Sequence, residues 1–246
     1  MLFRSESDCF TDVLVTLNNQ DCTIGCDCSE YVYLNEVQGV GAVHKFLVNG
    51  DGSLNEIFSD GSNAPSGTAP PAGAGVWYPG TNASELPSPH GLGVDNNGYL
   101  YIGEDTGGGN ANIRRLACDG TLFPTPAVDP VNGFLINNSD NLFNISSLDG
   151  ILYSNGLNGT TAQIYAWDPC TGSSLGFVRL GGFNFEDWGF HINQNSGTFY
   201  ATDGIGTVWR FNPTLADFAA NTTFPSIITP NEAMFGLGQP FTSVNP

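Results

Sequence analysis

Apolar residues in this chain come in short runs, each bounded by turn residues, and the runs recur in a fixed order. Three segments carry the pattern most clearly. His90–Glu104 reads HGLGVDNNGYLYIGE, Asn141–Asn155 reads NLFNISSLDGILYSN, and Trp188–Asp203 reads WGFHINQNSGTFYATD. Each is an apolar strand, a turn rich in Asp, Asn and Gly, and a second strand centred on Tyr101, Tyr153 or Tyr200. That is the signature of an antiparallel hairpin. A third strand follows each hairpin, at Ile113–Leu116, Ile164–Trp167 and Val208–Phe211. A weaker fourth follows the first two, at Phe134–Ile136 and Ser174–Val178.

An earlier copy is visible with insertions. Tyr31–Glu36 matches the Tyr-centred strand, and Val43–Val48 matches the third, with a turn at Asn49–Gly52. Asp12–Leu17 fits as its first strand, with a Cys-rich loop filling the hairpin. A fifth copy opens at Phe235–Gly238. No amphipathic run of helical period is long enough to predict a helix.

Four strands per unit at a period of about 50 residues predicts an all-β chain folded as a β-propeller of four-stranded blades. A β-sandwich also uses short strands, but it has no reason to repeat one pattern with the same turns. Four complete units and one opening strand give about four to five blades. Because an open stack leaves bare sheet edges, the expectation is a part of a larger ring, with a small ring closed by terminal strands as the alternative. The predicted organisation is a Cys-rich segment and first strand over 1–28, then blades over 29–246. An insertion rich in Gly, Pro and Ser spans 60–89 and carries the aromatic pair Trp77 and Tyr78. Those two either cap the space between blades or contact a ligand.

Charge narrows the partners. With 24 acidic against 6 basic residues the formal net charge is −18, and Lys45 is the sole lysine. Phosphate backbones and anionic lipid are repelled, so nucleic acid is excluded. No apolar run reaches membrane-spanning length, so no membrane insertion is expected. The first residues lack the apolar centre of a signal peptide, so any export signal is expected outside this chain. The six cysteines, Cys9, Cys22, Cys26, Cys28, Cys118 and Cys170, favour disulfides in an oxidising compartment, because the spacing of Cys22, Cys26 and Cys28 is wrong for a zinc knuckle. Sequons at Asn82, Asn137, Asn144, Asn158 and Asn221 matter only in a eukaryotic secretory pathway. The expected location is extracellular or on the cell surface.

The stretch Pro89–Glu104 resembles the NHL repeat and the related SMP-30/gluconolactonase propellers, whose blades share its spacing of Pro, Gly, Asp, Gly and Tyr. The Cys-Asp-Gly-Thr turn at Cys118–Thr121 and the Asn-rich, Lys-poor texture look like propeller segments of large secreted surface proteins of marine Bacteroidetes. The blade pattern covers roughly residues 30 to 240. It is specific for fold and poor for function, since one fold hosts many activities.

Two sets of positions are candidates for chemistry. His90, Asn141, Trp188 and Phe235 are equivalent starts of the innermost strand, separated by 51, 47 and 47 residues, and are expected to ring one channel mouth. His90 suits a base or metal ligand, or a channel-lining imidazole held by a backbone carbonyl. Trp188 and Phe235 suit ring stacking, or plug the channel. With Trp77 and Tyr78 these are the binding candidates. The second set ends the Tyr-centred strand: Glu36, Glu104, Asn155 and Asp203. An oxygen-rich column suits Ca²⁺, and the resemblance to SMP-30-like lactonases implies a divalent ion that polarises a lactone carbonyl. The competing role is capping the following turn.

No nucleophile elbow, zinc-protease motif or phosphate loop occurs, so no catalytic set is assigned. The expected function is a non-enzymatic extracellular module of a large surface or adhesive protein, binding a glycan, a protein surface or neighbouring subunits. Alternatives are a Ca²⁺-dependent lactonase or esterase of the SMP-30 type and a polysaccharide-binding propeller. No cofactor is expected to be required, with Ca²⁺ an option.

Overall fold

The computed structural model describes residues 31–36, 41–79, 89–95, 99–107, 110–117, 119–120, 134–138, 141–158, 161–169, 171–182, 189–203 and 207–226. The expected strand at 12–17, all six cysteines, Trp188 and Phe235 lie outside the described residues.

The described chain is all-β apart from one short helix, in four sheets that are antiparallel but for one added strand. The first joins β1 (Tyr31–Glu36), β2 (Ala42–Val48), β3 (Leu54–Ile57) and β4 (Asn63–Pro65). The second joins β5 (Pro89–Val94), β6 (Leu100–Gly107), β7 (Asn110–Leu116) and β8 (Phe134–Asn138). The third joins β9 (Asn141–Leu148), β10 (Ile151–Asn158), β11 (Thr161–Trp167) and β12 (Ser174–Leu180). The fourth joins β13 (Gly189–Asn193), β14 (Thr198–Thr202) and β15 (Val208–Phe211). After it come α1 (Leu215–Ala219) and β16 (Thr223–Phe224), and β16 adds in parallel to the outer edge of β12.

The turns follow from the residues at them. Between β9 and β10, Asp149 and Gly150 both take positive φ, 49° and 72°, as a two-residue hairpin turn of primed type requires. Between β5 and β6, Asp95 Oδ1 accepts from Tyr99 N and Oδ2 from the Tyr101 hydroxyl, each at 2.9 Å. One carboxylate therefore closes the hairpin and fixes the central tyrosine. β1 is the equivalent of β6, β10 and β14, so the first described sheet starts at the second repeat position. It gains β4 from the start of the expected insertion.

Strand alternation decides how the sheets stack. On β6, Leu100 and Ile102 face the first sheet and pack with Tyr33, Val43, Trp77 and Tyr78. Tyr101, between them, faces the third sheet with Ile113, and meets Ile145, Leu152, Tyr165 and Trp167. On β10 the same alternation sends Leu152 to the second sheet and Tyr153 to the fourth, where it joins Ile164, Phe190, Ile192, Phe199, Trp209 and Phe211. Tyr153 meets Phe199 edge to face with centroids 5.0 Å apart. Middle sheets buried on both faces need strands that are apolar at consecutive positions, as Leu100–Ile102 and Ile164–Trp167 are. Each buried Phe, Leu or Ile contributes on the order of 1.5–3 kcal/mol. The result is a propeller-like succession of sheets packed face to face.

The helix was not predicted. Five residues are too few to show a period, and its stability comes from caps and packing. Thr214 and Asp217 form a reciprocal capping box, and Phe218 is buried in the cluster between the third and fourth sheets. The α1 backbone lies directly on Gly176 of β12. A Cβ there would collide with the carbonyl of Phe218, and the φ of Gly176 is 116°. Only glycine meets both conditions. Gly176→Ala is expected to destabilise the chain by about 2–4 kcal/mol, read as a lower denaturant midpoint, whereas the same change at Gly50, where the space is open, should have a much smaller effect.

Candidate functional site

The first strands of the second, third and fourth sheets stand side by side, β5 against β9 and β9 against β13, with β1 beside β5. The contact is close. A Cβ on Gly93 of β5 would lie 2.9 Å from the Ile145 carbonyl oxygen of β9. Polar side chains tie each unit to the next at about one repeat of separation. Asn35 Nδ2 donates to the Pro89 carbonyl at 2.6 Å, Ser147 Oγ to that of Val94 at 3.3 Å, and Gln194 Nε2 to that of Ser147 at 2.8 Å. Farther out, Arg115 Nη1 donates to the Pro169 carbonyl at 3.2 Å. These bonds occupy the polar edges of the inner strands and hold their register.

His90 lies on β5 and Asn141 on β9, both on these neighbouring strands, while their side chains fall outside the described residues, as do Trp188 and Phe235 entirely. Trp77 and Tyr78 are 6% exposed and lie between the first and second sheets. Tyr78 is held by its backbone, with Val43 N donating to its carbonyl at 2.9 Å and its own N donating to that of Val43 at 3.2 Å. The sole lysine belongs to the same cluster. Lys45 Nζ sits 3.9 Å from the ring centre of Tyr31 and 5.3 Å from that of Trp77, so aromatic faces stabilise a cation that is almost wholly buried.

In the second set, Glu36 ends β1 with its side chain outside the described residues. Glu104, Asn155 and Asp203 are fully buried, and each has a protein partner. Glu104 Oε1 lies 2.6 Å from Arg114 Nε, a Coulombic contact without hydrogen-bond alignment, and Oε2 accepts from Nη2 at 3.3 Å. Arg114 Nη1 reaches the Tyr78 hydroxyl at 2.5 Å. Asn155 sits at a break in the β9–β10 register, and its Oδ1 accepts from Asn144 N at 2.5 Å. That bond fixes the amide orientation and leaves Nδ2 without a hydrogen-bond partner. Asp203 Oδ1 accepts from Thr207 N at 2.7 Å, and Asp203 N donates to the Thr207 carbonyl at 3.2 Å, which closes the loop before β15. Among the described residues, no group of three His, Cys, Asp or Glu side chains comes together as a metal site would require.

Sequence reasoning missed Arg114 as the partner of Glu104. The signal was present: two of six basic residues stand side by side in Ile113–Leu116, and an arginine on a doubly covered strand needs an acid or an aromatic ring.

Burial pushes the Glu104 carboxyl up from 4.5 to about 7, and the charge and hydrogen bond of Arg114 pull the other way without cancelling it. The folded value thus lies above the unfolded one. The contribution of Glu104 to stability is fully present below about 4.5 and is lost as pH rises through about 7. Glu104→Gln keeps an acceptor for Arg114 and removes the titration. Between pH 5 and pH 8 wild type is expected to lose about 2–3 kcal/mol relative to the Gln variant, measured as the difference between their denaturant-derived stability profiles.

No family model matches the chain, and no curated protein matches it. Eighteen solved chains do. Among them is "Crystal structure of Nidogen/Laminin Complex", with a TM-score of 0.39 and 19% identity over 70% of this chain and 56% of that one. The chain therefore spans little more than half the length of that structure. A likeness at this level carries no functional weight, and the account of the fold rests on sheet order and register.

Proposed function

We propose that this chain is a propeller segment of NHL type that serves as a non-enzymatic binding or assembly module of a secreted or surface-attached protein. The observation that supports this reading is the engagement of Glu104, Asn155 and Asp203. Arg114, Asn144 and Thr207 already hold them, so a divalent ion would have to displace an ion pair and two backbone hydrogen bonds. Turn and strand-end capping accounts for these residues without a metal. The partner in this reading is a glycan or a protein surface received at the inner-strand mouth near His90 and Asn141. The strongly acidic chain favours neutral or cationic ligands there. Ca²⁺ is not required.

The lactonase reading makes a contrary demand, since it needs Ca²⁺ to bind and a lactone to turn over. The chain is to be screened against glycan and protein arrays and assayed for lactone hydrolysis with and without Ca²⁺. Expected is a saturable ligand whose affinity falls about tenfold, roughly 1.4 kcal/mol, in His90→Ala or Asn141→Ala. Ca²⁺-dependent turnover abolished by Asp203→Asn would overturn the binding reading in favour of the enzyme.

A further inference from the structure

Between β4 and the buried pair Trp77 and Tyr78, the chain is exposed without a break from Pro65 to Gly73. This arm reads PSGTAPPAG, and no charged residue occurs between Asp60 and Glu85. Thr68, Ala69, Pro70 and Pro71 lie in neither strand nor turn. Each proline fixes its own φ and pushes the residue before it to extended backbone. Local turns flank the stretch, with Thr68 N donating to the Pro65 carbonyl at 3.1 Å and Ala74 N to that of Pro71 at 3.0 Å. Gly67 and Gly73 stand clear of the body, since a Cβ added at either would have nothing within 4 Å. Both ends of the arm are anchored. Ser66 N donates to the Leu54 carbonyl at 3.0 Å on one side. On the other, Gly75 N donates to Ser59 Oγ at 2.9 Å and Ser59 N to the Gly75 carbonyl at 3.1 Å.

We propose that this arm is a processing site, at which a protease that selects small side chains hydrolyses the Ala72–Gly73 bond and leaves a two-chain protein whose parts stay together. A protease takes its substrate as an extended segment, so a bond inside a paired strand is reached only after local unfolding. Exposed loop tips built of small residues are the preferred sites of cleavage. Here Ala69, Pro70 and Pro71 already present extended backbone before the bond, and only the turn from Pro71 to Ala74 has to open. The methyl of Ala72 suits a small specificity pocket. The Ala69–Pro70 and Pro70–Pro71 bonds are poor alternatives, because a proline nitrogen carries no hydrogen. No lysine or arginine lies between Lys45 and Arg114, so a protease that selects basic residues has nothing to cut in the arm. In the step, water adds across the bond. Its oxygen goes to the Ala72 carbonyl carbon and a proton to the Gly73 nitrogen, giving a carboxylate and an amine without oxidation or reduction. The parts 1–72 and 73–246 share one core, in which Tyr33 and Val43 of the first pack with Trp77, Tyr78, Leu100 and Ile102 of the second. Two backbone bonds between Val43 and Tyr78 and the Asn35 bond to the Pro89 carbonyl join them further. No residue of the arm belongs to the inner strands, so the proposal does not rest on the binding reading.

The folded full chain is to be treated with pancreatic elastase, with trypsin as the control, and the products read by mass spectrometry and light scattering. Elastase is expected to cut after Ala72 in native buffer at a rate within about tenfold of that in the denatured chain, and trypsin to leave the arm whole. Light scattering on the cut protein should still report both parts together, at 26.1 kDa, and denaturant should separate them. Ala72→Glu, at an exposed position, sets a charge against the small pocket. It should slow this cut at least about tenfold with an unchanged circular dichroism spectrum. An arm left whole at elastase levels that cut the described strands would overturn the proposal. So would a cut after residue 72 that appears only in denaturant, equal cutting of the Ala72→Glu chain, or parts that separate in native buffer.

Discussion

Leu100 and Tyr101 are neighbours on one strand and point to opposite sides of one sheet, and both are fully buried. The rest of the structure depends on that constraint. A strand lined with apolar groups on both faces has no stable position at a surface, so each middle sheet requires a sheet on either side. The second and third sheets obtain this from their sequence neighbours. The strands then face no choice of register, because a slip of one residue would exchange Leu100 for Tyr101 and misplace every contact in two interfaces. Short strands that would be marginal alone are held by two interfaces each.

Polar groups inside this stack are tolerated only where they have work to do. Arg114 lies between two sheets because the Glu104 carboxyl faces it at 2.6 Å and Tyr78 receives another of its donors. A buried pair of this kind offers little net stability over apolar packing, but removing one partner is costly. It therefore acts as a lock on position: it ties the segment around Tyr78, already bonded to Val43, to a strand of the next sheet. The ties from Asn35, Ser147 and Gln194 do the same along the inner strands. The hydrophobic contacts supply the attraction, and these directional contacts decide how adjacent sheets are set against each other.

Much of the architecture was legible in the sequence because its cause is local. The tyrosine-centred strands, the Asp–Gly turn at 149–150 and the third strands at Ile164–Trp167 and Val208–Phe211 all arise from patterns a few residues long. The helix was not legible, since five residues hold no period and its anchor, Phe218, is seated by distant strands. The addition of β16 beside β12 in parallel also has no local sign. The end of the Tyr-centred strand was read as an oxygen-rich column, and residue type alone could not say which partners those oxygens have. Glu104 is answered by a residue ten positions later on the next strand, and Asn155 by a backbone amide across a bulge. Such pairings are properties of register, which a sequence shows only after the strands are aligned.

The same logic bears on where a ligand can be received. Contacts around the second sheet bury aromatic and aliphatic side chains together with the Glu104–Arg114 pair. On the binding reading, a ligand is received at surfaces these contacts do not consume, the ends of the inner strands or an outer face of an end sheet. The two differ physically. Inner-strand ends offer backbone groups and single side chains at one level, suited to a small or narrow ligand that supplies its own hydrogen bonds. The outer face of the first sheet offers Leu34 and Val48 as its open large apolar side chains, since Phe46 and Glu56 on the same face are buried.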